Sequence, residues 1–171
     1  MSVHDLLKEY IETGRIKLDK SKHPELTTFH DPCNYGRKSE KTFGHGYYEE
    51  PRWITQQCVD NYVEMHPNRA NNYCCGGGGG FLQSGYPDAR RAYGKLKADQ
   101  ILATKAEYCI TPCHNCHAQV HDLSDERDHA WQTVHLWTLI CLSLGVLGPN
   151  EREYLGDDLK EVLPFHPESA M

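Results

Sequence analysis

Five cysteines in three widely separated groups constrain this chain more than any other feature. Cys33 closes the run HDPC, Cys74 and Cys75 open the run CCGGGGG, and Cys113 and Cys116 form a CxxC inside PCHNC. Forty residues lie between the first group and the second, and 37 between the second and the third. Groups flanked in this way by proline or glycine rarely occur together without a metal or redox role. Disulfides account for them poorly. Adjacent cysteines such as Cys74 and Cys75 cannot bridge each other without distorting the backbone. Met1 is followed by a helix start rather than an apolar leader, which fits a reducing, cytoplasmic compartment. A useful fold therefore has to bring the three groups to one place.

The pattern along the chain shows how that can happen. Ser2 and Asp5 frame a helix start, and Leu6, Leu7, Tyr10 and Ile11 give that helix one apolar face before Gly14. Leu26–His30 reads as a strand stopped by Asp31–Pro32, and Gly36–Gly46 as a charged loop. A helix of about 15 residues is predicted from Pro51 to Met65. Asn71–Tyr73 reads as a short strand before the cysteine pair, and Pro87–Ala106 as a long helix. Glu107–Thr111 reads as a strand stopped by Pro112, with a helix beginning at CHNCHAQVHDL. Gln132–His135 reads as a last short strand before a buried helix. Strands alternating with helices imply an α/β fold: an open, mainly parallel sheet with flanking helices, Rossmann-like. In such sheets sites gather at the carboxyl ends of the strands. All three cysteine groups are predicted to follow a strand, so they are expected on loops at one edge. Residues 1–150 are expected to form a single domain and residues 151–171 an acidic tail.

Composition excludes several roles. The net charge of -6 gives no footprint for nucleic acid or for an anionic membrane. The longest apolar run, Trp137–Gly148, is shorter than the roughly 20 residues a membrane-spanning helix needs. No direct membrane insertion is expected, and any association with a membrane would pass through partner subunits.

The residues beside the cysteines suit an anionic, thiolate-bound group. Pro32 and Pro112 stop their strands just ahead of a cysteine, and a helix starting near Cys113 would lower thiol pKa values. Gly76, Gly77 and Gly78 permit close backbone approach, and their amides can form a nest around a cofactor; a flexible linker is the plainer reading of the same glycines. Five thiols exceed the four that a structural zinc takes. They suit a larger or irregular iron–sulfur cluster, or a cubane with one spare reactive thiol. Cys58, Cys109 and Cys141 sit in apolar patterns and are expected to be structural.

HDPC, EEPR, CCGGGGG and PCHNC together resemble the cysteine-rich CCG domain of heterodisulfide reductase catalytic subunits (the B/D family). GRIKL, FHDPCNYGRKSE and NNYCCGGGGG look most like the C-terminal part of the DsrK-type subunit of sulfur-metabolism membrane complexes. The resemblance covers roughly residues 1–147. It implies a noncubane [4Fe-4S] cluster on Cys33, Cys74, Cys75, Cys113 and Cys116, and a reductase that breaks a disulfide in two one-electron steps. The substrate it implies is a thiol-cofactor heterodisulfide, or a disulfide or trisulfide on a small protein. The partners it implies are a ferredoxin-like iron–sulfur domain or subunit and membrane quinone or haem subunits, which would hold the chain at the cytoplasmic face. Full-length relatives carry a second CCG half and ferredoxin-like cysteine runs that this sequence lacks. It therefore resembles a C-terminal catalytic half without its own electron input.

His30, His114 and His117 are the candidate proton donors for such a reaction, because histidine titrates near neutrality. His114, His117 and His121 also share the spacing of an ordinary polar helix stripe. Arg37, Lys38, Arg52, Arg90 and Arg91 are candidates for offsetting cluster charge or receiving an acidic partner, Arg52 foremost, and Tyr35 and Tyr73 for walling the site. Two other readings stay open. One is a structural Zn2+ site on Cys74, Cys113, Cys116 and a further Cys or His, as thought for some CCG domains. The other is a pure electron relay without substrate.

Overall fold

A computed structural model describes residues 1–146. The expected tail, 151–171, and the end of the apolar run lie outside the described residues.

Four strands form one parallel sheet in the order β2-β1-β3-β4: β1 (Leu26–Phe29), β2 (Asn61–Tyr62), β3 (Tyr108–Thr111) and β4 (Gln132–His135). Thr28 pairs with Cys109, and Ile110 with Val134, so the two central strands are buried on both faces. Near-continuous apolar or threonine runs are what such strands require. The α/β reading therefore holds.

Helices cover both faces. On one side α3 (Glu49–Cys58) and α6 (Leu136–Leu144) pack over Phe29, Ile110 and Val134, with Leu7 and Ile11 of α1 (Val3–Glu12) against the same cluster. On the other, α4 (Pro87–Thr104) and α5 (His114–Asp125) close over Cys109 through Ala98, Ile101, Val120 and Leu123. Cys109 and Ile110 face opposite layers because side chains alternate along a strand. The α1 start is a reciprocal cap: Ser2 Oγ accepts from the Asp5 amide at 3.2 Å, and the Ser2 amide donates to Asp5 Oδ2 at 2.6 Å. The described helices include none long and apolar enough to cross a membrane.

Three expectations fail locally. The helix after Pro51 ends at Cys58 instead of reaching Met65. Val59 turns extended there, and Asn61–Tyr62 pairs with Leu26–Thr27 as the edge strand. Tertiary pairing and the β preference of Val59, Tyr62 and Val63 outweigh the helical period. Asn71–Tyr73 is not a strand; a 3-10 turn spans Arg69–Asn71, and Asn72 has other work in the core. The cysteine pair therefore sits in a long loop well beyond β2 rather than directly after a strand. The charged stretch 36–46 is largely helical, a π turn at Asn34–Lys38 leading into α2 (Ser39–Phe43).

Candidate metal centre

Strand order reverses between β1 and β3. β1 has β2 on one side and β3 on the other, which leaves a crevice beyond their carboxyl ends, the usual ligand position in open sheets. Cys33 follows β1 and Cys113 follows β3, so both open onto this crevice. The loop carrying Cys74 and Cys75 reaches it from the side.

Two devices hold the loops. Asn72 is buried and donates from Nδ2 to the Asp31 carbonyl at 2.5 Å, joining the HDPC turn to the residues before the cysteine pair. Arg37 reinforces the join, donating to the carbonyls of Ala70 at 3.0 Å and Asn72 at 2.8 Å. Below, Arg52 donates to Asp31 Oδ2 at 2.8 Å, to Glu64 Oε1 at 2.7 Å and to the Tyr48 carbonyl at 2.6 Å. Asp31 Oδ2 also takes the Arg69 amide at 2.8 Å. Arg52 thus clamps the turn before Cys33 and is spent on carboxylates rather than facing the crevice. Arg90 is likewise occupied, by Gln119 and Asp122 on α5, and Arg91 by Asp88 and Glu126.

The glycines do two different jobs. A Cβ at Gly76, whose φ is +93°, would come within 2.8 Å of the Arg90 carbonyl, and one at Gly77 within 2.7 Å of Gln119 Cβ. These two residues let the loop lie in the groove between α4 and α5. Their amides point back at sulfur: the Gly76 N–H donates to Cys74 Sγ at 3.3 Å, and the Gly77 N–H to Cys75. A Cβ at Gly78 would meet nothing within 4 Å, and Gly78 borders the open pocket.

The five sulfurs form one connected set. Thiol hydrogen bonds run from Cys33 to Cys74, between Cys74 and Cys75, between Cys75 and Cys116, and from Cys116 to Cys113. Hydrogen bonds from Cys33 and Cys75, then the Gly76 amide, hold the Cys74 thiol far below its usual value. Cys116, aided by the amides of Cys116 and Asn115, lowers Cys113 to about 6. Cys33 and Cys116, as the donors, are pushed up. Cys75 accepts from Cys116, but donation to Cys74 and burial prevail and raise it to about 11. Neighbouring thiols thus shift one another in opposite directions, an arrangement in which metal can replace the protons.

His30 lies within this set. One of its ring nitrogens and the sulfurs of Cys75 and Cys116 all lie within 4.8 Å of one another. The ring is buried, and neither nitrogen has a hydrogen-bond partner among the described residues. Burial, then the positive charge of Lys97, hold its pKa well below normal. Two orphaned buried nitrogens beside a thiolate-rich cage fit a site completed by a bound group. His114 is exposed at the start of α5, whereas His117 faces His135 with ring centroids 5.8 Å apart. Burial and then His135 lower His117 to about 4. Tyr35 is half-buried beside the CxxC; burial, then the charge of Cys113 and Cys116, raise its pKa. Tyr73 is 39% exposed.

Cys33 and Cys74 face an open pocket of about 370 Å³, with Phe81 and Tyr93 on one wall and Lys38 on its rim. Cys58 and Cys109 are buried and their pKa values are raised by burial, each to about 12, as structural thiols require. Cys141 is only half-buried, at the edge of the apolar layer it was expected to fill. The residues that sequence reasoning missed are Asp31, Asn72 and Lys97. The only trace of the last was a lysine one turn after Gly94 on a helix face that also carries Ile101.

The family model of the CCG cysteine-rich domain matches residues 27–121. The chain is 29% identical over 147 residues to one of the subunits that make up the dihydromethanophenazine:CoB–CoM heterodisulfide reductase of Methanosarcina barkeri, covering 85% of this chain and 33% of that protein. It is 39% identical over 83 residues to an iron-sulfur subunit of an Hdr-like menaquinol oxidoreductase of Archaeoglobus fulgidus, covering 47% of this chain and 14% of that one. Against one of the subunits that form the fumarate reductase (CoM/CoB) of Methanothermobacter marburgensis it is 35% identical over 96 residues, 56% of this chain and 18% of the other. The chain spans a third or less of the length of each. No solved structure matches. The match over more than half the chain, with all five gathered cysteines inside it, makes this protein a member of the CCG cysteine-rich domain family.

Proposed function

We propose that this chain is the disulfide-reducing domain of an iron–sulfur oxidoreductase, holding a noncubane [4Fe-4S] cluster on Cys33, Cys74, Cys75, Cys113 and Cys116. The observation that carries the reading is the single connected set of five sulfurs at the sheet's switch point, with amide donors on three of them. Four ligands suffice for zinc or a cubane. When bound, the cluster supplies electrons one at a time to a sulfur–sulfur bond.

The chain's own residues do the rest. The pocket over Cys33 and Cys74 admits the substrate, Phe81 and Tyr93 shed water from its apolar part, and Lys38 attracts an anionic group at the rim. Cleaving one S–S bond takes two electrons and two protons and yields two thiols. His30 brings a ring nitrogen to the sulfurs of Cys75 and Cys116, and His114 and His117 lie on the helix that carries Cys116; these three are the proton donors. The electrons come from elsewhere, through a ferredoxin-like iron–sulfur domain or subunit joined to membrane quinone or haem subunits on the cytoplasmic side. The substrate is a thiol-cofactor disulfide or a disulfide or trisulfide on a small protein.

The approach of His30, Cys75 and Cys116 favours one other reading, a structural zinc. Anaerobic purification followed by iron, sulfide and zinc assays separates them. The iron–sulfur reading expects about four iron and four sulfide per chain and an EPR signal altered by a disulfide substrate. One zinc without visible absorption would replace it with the structural site, and a cluster signal indifferent to disulfides would leave an electron relay.

A further inference from the structure

The cysteine cage lies close to a cation that makes no ion pair among the described residues. Lys97, on α4, is fully buried. Its Nζ donates to Asn72 Oδ1 at 2.5 Å and to Gln100 Oε1, and lies 3.7 Å from Met65 Sδ. All three partners are neutral. An ammonium buried among neutral groups is strongly disfavoured unless negative charge is within reach.

Four groups bring such charge near: Cys109, Asp31, Cys75 and Cys116. Cys109 is a thiol whose pKa is raised to about 12, so it stays neutral. The Asp31 charge already has its ion pair, Arg52 at 2.8 Å on Oδ2, where the Arg69 amide also donates. That leaves Cys75 and Cys116, whose sulfurs are thiolates when they ligate a metal. Burial pulls Lys97 down to about 8, and these neighbours oppose the fall. Through Asn72, which also holds the Asp31 carbonyl, the same ammonium braces the loops of Cys33 and Cys74.

We propose that Lys97 is the buried counter-charge of the cysteine cage, its ammonium offsetting thiolate charge at Cys75 and Cys116 and so raising the reduction potential of the bound cluster. The proposal rests on the iron–sulfur reading above. Reduction adds negative charge to the cage, and a fixed cation beneath it favours the reduced form. A merely space-filling lysine would leave the potential unmoved when replaced by an apolar residue of similar length.

The test is an EPR-monitored redox titration of the full chain, purified anaerobically, as wild type, Lys97→Met and Lys97→Arg, with iron and sulfide measured in each. Lys97→Met is expected to disfavour reduction at least tenfold, a fall of about 59 mV for one electron, and Lys97→Arg to keep most of the wild-type potential. Should Lys97→Met fail to fold, Gln100→Glu places a carboxylate against the same ammonium at nearly unchanged shape and is expected to lower the potential likewise. A folded, cluster-loaded Lys97→Met or Gln100→Glu with the wild-type potential overturns the counter-charge alone. A wild-type chain that takes up no iron and sulfide overturns both it and the iron–sulfur reading.

Discussion

Replacing Gly94 by alanine sets two effects of opposite sign against each other. Gly94 lies inside α4, where alanine is favoured over glycine by about 1 kcal/mol. A Cβ there would stand 2.6 Å from the Cys75 carbonyl oxygen and 2.8 and 2.9 Å from the two Leu123 methyls. Leucine methyls can rotate away. The Cys75 carbonyl cannot, because the next residues, Gly76 and Gly77, are wedged against Arg90, Gly94 and Gln119. Overpacking of this kind costs about 1–3 kcal/mol. The clash therefore wins, with a net loss of up to about 2 kcal/mol, at about 2–4 °C of melting temperature for each kcal/mol in a chain of this size. Relief of the clash moves Cys75, so iron uptake falls as well. Thermal melting of the reduced, metal-free chain, together with iron per chain after anaerobic reconstitution, reads both effects. Gly78→Ala is the control, since nothing lies within 4 Å of its Cβ; its melting temperature and iron uptake should match the wild type. A Gly94→Ala chain more stable than wild type by the helix-propensity gain, with normal iron uptake, would refute the close packing of the CCG loop on α4.

Two other perturbations test parts of the scaffold. Arg52→Met leaves Asp31 buried at 3% exposure with only the Arg69 amide, so urea unfolding should show a loss of about 3–5 kcal/mol, and a loss below about 1 kcal/mol would exclude the clamp. His4 is buried, stacked on Trp137 at 5.7 Å and edge-on to Tyr35 at 5.4 Å, with Nε2 unpartnered among the described residues. Burial holds its pKa below 6.5 against the opposing pull of Glu50 and Asp5. Between that lowered value and 6.5 the unfolded chain binds more protons than the folded one, so stability falls as pH drops through this window. His4→Phe keeps the ring without the proton; its unfolding free energy should depend less steeply on pH between 7.5 and 5, and an unchanged slope would move the titration to another group.

Much of the site was legible from residue types alone. Cys33 and Cys113 were placed correctly because Pro32 and Pro112 end their strands, and a chain leaving a parallel strand at its carboxyl end has few places to go. The route of Cys74 and Cys75 was not legible. A short polar run such as Asn71–Tyr73 has no period long enough to separate a strand from a turn, and here Asn72 forgoes sheet pairing to hold Asp31 and Lys97. The edge strand was missed for a related reason: Asn61–Tyr62 is too short to leave a pattern, and pairing with β1 alone decides it. Arg52 was noticed for its charge, but its task of holding the turn before Cys33 depends on Asp31 and Glu64, which lie 21 residues before it and 12 after it.

What the sequence by itself determined was the set of chemical groups and the layer architecture. Thiols, glycines and strand-ending prolines are local features, and alternating strand and helix periods are local too. Only the tertiary structure decided which charges meet. Lys97 lies 22 residues from Cys75 in sequence and Asp31 66 residues from Lys97, yet burial puts them in one electrostatic neighbourhood where water no longer screens them. A lysine in a helix pattern reads as surface until packing takes away its solvent, and only then does it need the negative charge of the cage.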